Sequence, residues 1–332
     1  MQCNATRSSN ASLTIILSYN KFYIPFGSFA TATNILCVLV VLSKKRMREK
    51  YGAFGVLSFG DMLNALAMVL LGSIRNQQIN DNSFVSLSSF ACFGRPWPYL
   101  FIVGGQLPAF VLVVMAGERV IAVFKPIAYR TYATPKTRVI ANIICVALSI
   151  LSLLIGILFS YLNREVCTSP TCTTINSTGR LYGTFNNCLI VPLPFFALIL
   201  NIIAYVGAKR LSVSTNMERE LKKVLVSLVL AALAVVLSVV PNILLWGAGV
   251  YWNVPNLGYM YIGFCCNSAV DLFAFFFLKE DFRNRLLSIL SYGYLKRYFN
   301  LHEETETNVK RNMVQNTSIK PPARSRATET VG

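Results

Sequence analysis

The sequence predicts an all-α membrane protein, a seven-transmembrane helix bundle with its N-terminus outside and a short amphipathic interfacial helix after the seventh span. Three observations predict it: the chain is very apolar, its apolar residues form seven long stretches, and its positive charges cluster in alternate connections. Charged residues are 14% of the 332 residues, hydrophobic residues are 54%, and the mean hydropathy is +0.52. Because soluble domains carry about 25% charged residues, a soluble fold could not bury this apolar surface. The same composition excludes disorder over most of the chain.

Each apolar stretch is long enough to cross the hydrocarbon core as a helix, which takes about 20 residues. Barrel strands would be about 10 residues long and strictly alternating, so helices remain as the spanning structure. The predicted spans are residues 22–43, 53–74, 99–124, 139–162, 182–206, 224–247 and 257–278. The alternative is six spans, with the last stretch lying in the interface. We favour seven because residues 259–278 contain a single charged residue, Asp271.

The positions of the positive charges predict the orientation. Of the 31 Lys and Arg residues, 25 lie near the connections after the first, third and fifth spans or in the C-terminal tail. The positive-inside rule therefore assigns that side to the cytoplasm, which places the N-terminus outside. The net charge of +17 is therefore mainly a consequence of the topology. We expect the lipid bilayer as a partner. We expect no nucleic acid, because nucleic-acid binding needs a basic patch on a soluble fold.

The chain is expected to divide into four parts. They are an extracellular N-terminal segment (1–21), the transmembrane domain (22–278), an amphipathic interfacial helix with a juxtamembrane segment (279–298), and a disordered cytoplasmic tail (299–332). Apolar residues recur at helical spacing from Phe282 to Leu290, which predicts a helix lying on the inner leaflet. The tail is polar and contains a Pro-Pro pair, as is typical of disordered segments.

Sequons and cysteines fit this topology. Three Asn-X-Ser/Thr sequons on the predicted outer side are candidate glycosylation sites: Asn4, Asn10 and Asn176. Four cysteines lie on the same side, where disulfides persist: Cys3, Cys92, Cys167 and Cys172. The other five lie within predicted spans, and His302 is the only histidine, so we expect no metal centre and no cofactor.

The most specific motif closes the third predicted span at the inner face. It begins with Glu118-Arg119 and continues to Pro126 and Tyr129. The acid, the Arg, the Pro and the Tyr, in this register, resemble the acid-Arg-aromatic signature of rhodopsin-like (class A) G-protein-coupled receptors. The resemblance implies that these four residues form the G-protein coupling switch. It also implies that Arg119 is held by Glu118 at rest and is then released toward the G protein.

Further positions resemble the family in chain order. Asn34 lies in the first span, Asp61 in the second, and Asn267, Ser268 and Asp271 in the seventh. The resemblance implies that these five form a polar network in the core. Ionisable groups in the bilayer are functional by default, and two close carboxylates cannot both ionise freely. Either one is therefore protonated, as part of a structural network, or a sodium ion lies between Asp61 and Asp271.

Pro241 stands where the family places the proline that kinks its sixth helix. The chain departs from the family at Val120 in the Arg motif, at Val239 in the sixth span, and at Leu272 and Phe275 in the seventh. This divergence resembles the nematode chemoreceptor-like serpentine receptors.

We expect the ligand in the outer half of the bundle. The candidate lining residues are Phe101, Gln106, Asn187, Asn242 and Tyr261. No carboxylate lies in the outer half of any predicted span, which favours a small neutral or weakly polar ligand, or a peptide, over a cation. Phe101 replaces the Asp of amine receptors, and Cys265 replaces the Lys of opsins. A disulfide from Cys92 to either Cys167 or Cys172 would pin the top of the third span to the second outer loop.

The sequence thus predicts a G-protein-coupled receptor of the plasma membrane, with a chemosensory role, an unknown extracellular ligand and a heterotrimeric G protein as partner. The alternative is a small-solute transporter or channel. Transporters usually carry internal repeats and channels carry charged rings or filters, and neither is evident here. An enzyme is not expected, because the chain shows no metal cluster and no nucleophile-base pair.

Overall fold

The structure, a computed structural model of the chain, describes residues 10–210, 215–250 and 257–291. Within these residues, seven helices are long and apolar enough to cross a membrane, which confirms the predicted all-α bundle. We number them span one to span seven in chain order. The spans are Leu13–Leu42, Lys45–Asn80, Pro96–Phe124, Pro135–Leu162, Arg180–Arg210, Ser227–Leu245 and Gly258–Leu278. The orientation stays a prediction. Asn4 and the predicted tail lie outside the described residues, as does the side chain of Asn10.

Most of the helices extend beyond the apolar stretches that predict them, whereas span seven does not. The α-helices are Asn10–Leu42, Lys45–Asn80, Ser89–Phe93, Pro96–Phe124, Pro126–Tyr132, Pro135–Leu162, Thr174–Thr178, Arg180–Ile190, Pro192–Arg210, Thr215–Ala234, Val240–Val250, Tyr261–Leu278 and Glu280–Leu290. Span two begins at Lys45 because its first turns are rich in Lys, Arg, Met and Glu, which favour helix without being apolar. A non-helical backbone at Tyr51 (φ −121°, ψ 17°) kinks this helix close to the start predicted from the sequence.

Prolines interrupt the regular helix in spans five and six. Span five is two helices that break at Val191, just before Pro192. In span six a π-helical segment, Val235–Val239, precedes Pro241. A proline removes one backbone donor and clashes with the carbonyl four residues earlier, here that of Leu237. Gly263 of span seven lies against that carbonyl, since a Cβ on Gly263 would be 2.8 Å from it.

Spans two and three approach each other through small residues. A Cβ added to Gly104 would lie 2.6 Å from the backbone nitrogen of Asn64, and one added to Gly60 would lie 2.6 Å from Pro108 Cδ. Small residues let membrane helices pack closely, where dispersion contacts replace the hydrophobic effect. Span three is one continuous helix through its glycine pair and Pro108.

One end of the bundle is closed by the connections that follow spans two and four. Two short strands, Leu87–Ser88 and Cys167–Thr168, pair antiparallel there. Cys92 forms a disulfide with Cys172, which resolves the predicted alternatives, and Cys167 is disulfide-bonded as well. We call this end of the bundle the disulfide end, and the opposite end, where span three closes with Glu118 and Arg119, the Arg119 end.

The helix Glu280–Leu290 follows span seven. Phe282 and Leu286, four residues apart, are buried, while Leu290 is exposed. The burial of Phe282 and Leu286 has the four-residue spacing expected on one face of an amphipathic helix.

Candidate functional site

A cavity of about 460 Å³ lies at the Arg119 end. Its wall combines spans two, three, four, six and seven with the short helix Pro126–Tyr132. Pro126 occupies the first position of that helix, where its missing N–H costs nothing and its fixed φ favours helix. The short helix in turn places Tyr129 in the cavity wall. The predicted switch residues Glu118, Arg119 and Tyr129 therefore line one space.

The charge of the cavity is mainly positive. Among its lining residues, six are Lys or Arg and two are Glu. A concave site of one sign concentrates partners of the opposite sign. This cavity is consequently suited to an anionic group or to the C-terminus of a helix, which carries partial negative charge.

Glu118 is paired across to span four. Its Oε1 lies 3.3 Å from Arg138 Nε. Arg138 Nη2 also donates a hydrogen bond of 2.7 Å to the Tyr129 hydroxyl, and the guanidinium lies 6.0 Å from the centroid of that ring. Arg138 therefore links span three, span four and the short helix between them. Sequence reasoning missed its role, because Arg138 reads only as one more basic residue at the predicted inner face.

Arg119 has no comparable partner in the part of the chain that is described. It is half-buried, its Nε is enclosed without an acceptor, and no described carboxylate forms an ion pair with it. The contact with Glu118 that the resemblance implies is replaced in this conformation by the Glu118–Arg138 pair. A guanidinium at a cavity wall can donate hydrogen bonds to a carboxylate or carbonyl of a docking partner.

Deeper in the bundle, four of the five predicted network residues lie together. Asn34 Nδ2 donates to the carbonyl of Ser268 at 2.7 Å, and Ser268 Oγ donates to Asp61 Oδ1 at 3.4 Å. The carboxyl groups of Asp61 and Asp271 are within hydrogen-bonding contact, and both residues are buried. Asn267 is half-buried and makes no hydrogen bond within the described residues.

Two buried carboxyl groups in contact require a shared proton or a cation between them, because two adjacent negative charges in a low dielectric repel strongly. Nowhere in the described residues do three or more His, Cys, Asp or Glu side chains form a group suited to a metal ion. A sodium ion held by Asp61, Asp271 and neutral oxygens stays a prediction.

The predicted ligand-pocket residues divide into separate groups. Phe101 and Tyr261 meet, with ring centroids 6.4 Å apart. Gln106 is fully buried and donates from Nε2 to Asn186 Oδ1 at 2.7 Å, which joins span three to span five.

The two remaining candidates, Asn242 and Asn187, do not join the contact between Phe101 and Tyr261. Asn242 Nδ2 donates to the carbonyl of Ser238 on its own helix at 3.0 Å. Asn187 is half-buried. Of the five candidates, the structure brings only Phe101 and Tyr261 into contact with each other.

The bundle, its disulfide-closed end and its basic Arg119 end define a multi-pass membrane protein of the seven-helix receptor class. Residues 33–256 match the family model "7 transmembrane receptor (rhodopsin family)", and the chain belongs to this family. That family is one of receptors. No curated protein matches the sequence significantly.

Proposed function

We propose that this protein is a G-protein-coupled receptor of the plasma membrane, with the disulfide end outside and the Arg119 end facing the cytoplasm. A ligand binds among the outer parts of the spans, and a heterotrimeric G protein docks at the Arg119 end. The observation that carries the proposal is the Arg119 guanidinium, which has no ion-pair partner among the described residues and lies in a basic cavity walled by five spans. The family membership supports the same proposal, in which a ligand binds outside and a G protein docks inside.

The cavity also indicates how docking would proceed. A helix with its side chains is about 10 Å across, so a cavity of about 460 Å³ has room for little more than one helical turn. Span six has the means to move, because its π-helical segment and Pro241 weaken the regular helix at one level. Ligand binding would then shift a pre-existing equilibrium toward conformations with an open Arg119 end.

The test is ligand-independent G-protein activation in a heterologous cell. Wild type, Arg119→Ala and Arg48→Ala are compared at equal surface level, against cells without the receptor and across the Gα classes. Arg48 lines the same cavity but is exposed, so its variant is the matched control for lost charge. We expect Arg119→Ala to lose activation and Arg48→Ala to retain most of it. Equal activation in all three would contradict the role of Arg119.

A chemosensory role follows from the divergence of the switch positions, which resembles that of nematode chemoreceptor-like receptors. A chemosensory receptor should respond to small molecules from a panel of odorants. Responses should be lost in Arg119→Ala and kept in Arg48→Ala. The family shown here does not favour the transporter or channel alternative.

A further inference from the structure

We propose that Arg75 is the recognition point for a small monocarboxylate, bound at the disulfide end of the bundle. The site would be walled by aromatic side chains: Tyr19, Tyr23, Trp97 and Tyr261. The inference deepens the proposed function by naming the chemical class of the ligand, and it rests on that function for its signalling consequence.

Arg75 is held inside the bundle near the end of span two. Only 4% of the residue is exposed. Its Nη2 donates to the carbonyl of Thr171, and its Cζ lies 5.9 Å from the ring centroid of Trp97. Trp97 Nε1 donates in turn to the carbonyl of Cys172 at 2.9 Å. The disulfide loop therefore fixes the guanidinium in position.

Among the described residues, no carboxylate forms an ion pair with Arg75. The titratable groups that face Arg75 are the hydroxyls of Tyr19, Tyr23 and Tyr261, which carry no charge at neutral pH. Asp61 lies fourteen residues earlier on the same helix, about 21 Å away at 1.5 Å per residue.

The rest of the disulfide end is equally poor in acids. The connections at this end contain only Asp81 and Glu165, and residues 1–9 and 251–256 contain no Asp or Glu. Both acids are exposed, and neither forms an ion pair with Arg75 among the described residues. A buried charge without a partner is strongly unfavourable, so the natural counter-ion is an anion from outside the chain.

The geometry of the guanidinium indicates the kind of anion. Arg75 Nε is enclosed without an acceptor, and Nε with Nη2 forms the edge that binds a carboxylate through two parallel hydrogen bonds. Nη2 retains a second N–H after its bond to Thr171. One buried cation matches one negative charge, which favours a monocarboxylate over a phosphate dianion.

The surroundings of Arg75 indicate the body of the ligand. Tyr19, Tyr23 and Trp97 belong to one apolar cluster, against which Phe101 and Tyr261 also pack. Tyr261 is 6.1 Å from Tyr23 and 6.4 Å from Phe101, centroid to centroid. Rings of this kind favour an aromatic or alkyl group next to the carboxylate. This ligand differs from the neutral one that the sequence favours, because hydropathy treats Arg75 as a loop charge and cannot show its burial.

The experiment measures the melting temperature of the purified full chain in detergent with matched pairs of probes: benzoate against benzamide, and hexanoate against hexanamide. Each pair differs in charge but hardly in shape. We expect the carboxylates to raise the melting temperature of wild type and the amides to leave it unchanged, because a ligand that binds only the folded state stabilises it.

Three variants locate the effect. Arg75→Gln should abolish the shift, and Arg164→Gln, which removes an exposed Arg from the same end, should preserve it. Arg75→Lys keeps the charge but loses the planar fork, so it should need about tenfold more carboxylate for the same shift. If Arg75→Gln does not fold, the Arg75→Lys shift and the carboxylate-amide difference in wild type decide the question.

The proposal is overturned if wild type responds equally to carboxylate and amide, if Arg75→Gln keeps the full shift, or if Arg75→Lys binds as wild type does. Because the assay reads binding alone, an intact carboxylate shift in a protein without G-protein activation would count against the proposed function only. Activation that depends on Arg119, without any carboxylate shift, would count against the Arg75 site only.

Discussion

Glu118 and Arg138 form an ion pair between spans three and four, with Oε1 and Nε 3.3 Å apart, and this pair leaves the neighbouring Arg119 without a carboxylate partner in the described residues. Glu118 thus has two cations within its reach, one beside it in the chain and one across the cavity. We expect the cation that Glu118 holds to determine whether the Arg119 guanidinium is free for a docking partner.

Removing Arg138 should therefore lower ligand-independent activity. In Arg138→Gln, Glu118 loses its partner and is left free to capture Arg119. We expect ligand-independent G-protein activation to fall several-fold at equal surface level. Adding Glu118→Gln in the same chain removes the competing carboxylate and should restore activation toward wild type.

The same variants measure the strength of the pair. The two side chains are 30% and 26% exposed, so solvent screens the pair and its coupling should be about 0.2–1 kcal/mol in a double-mutant cycle. Activation in Arg138→Gln that equals wild type, or a double variant no better than the single, would show that Glu118 does not exchange between the two arginines.

The contact between spans two and three gives a prediction about stability. Gly104→Ala places a Cβ 2.6 Å from the Asn64 backbone nitrogen, which cannot move as a side chain end could. Overpacking of this kind costs about 1–3 kcal/mol, and we expect a lower melting temperature and less protein at the surface.

Gly117→Ala is the matched control. It lies on the same helix, and an added Cβ there meets nothing within 4 Å. Alanine favours helix over glycine by up to about 1 kcal/mol, so this variant should melt at or above the wild-type temperature. The prediction fails if the two variants shift the melting temperature equally.

The fold was predictable because hydropathy averages over about 20 residues and needs no knowledge of neighbours. The same averaging explains where the bounds of span two differ. Hydropathy predicts a start at residue 53, because the charged residues before it lower the average, whereas helix propensity extends the helix back to Lys45. The kink at Tyr51 and the break at Val191 depend on local backbone geometry, which an average over residues does not contain.

The site was predictable only where the family motif marks it. Glu118, Arg119 and Tyr129, which the resemblance groups as the switch, line one cavity. The roles of Arg138 and Arg75 depend on which helix face turns inward and on what lies across from it. A positive charge near a span end reads the same in the sequence whether it is solvated or, like Arg75, 4% exposed.

The disulfide predicts equal phenotypes for two cysteines. Cys92→Ala and Cys172→Ala remove the same bond, so each should lose about 2–4 kcal/mol of stability, and the double variant should lose no more than either single one. Cys167→Ala should leave the Cys92–Cys172 bond intact. Thiol labelling of the denatured, non-reduced protein with a maleimide that retards migration in a gel checks each pairing. Additive losses in the double variant would contradict the pairing.

The contact between Asp61 and Asp271 has two explanations, a shared proton or a bound sodium ion, and the salt dependence of stability distinguishes them. In the hydrogen-bonded network, Asp61 Oδ1 accepts from Ser268 and the two carboxyl groups contact each other directly, which favours a shared proton. We therefore expect the melting temperature of wild type to be the same in sodium chloride and in potassium chloride at equal ionic strength. We expect Asp271→Asn to fold with near wild-type stability, since an amide can donate to Asp61 as a protonated acid does.

A sodium ion would instead stabilise the folded state in proportion to its binding. A rise in melting temperature specific to sodium, lost in Asp61→Asn and in Asp271→Asn, would replace the shared proton by a sodium site.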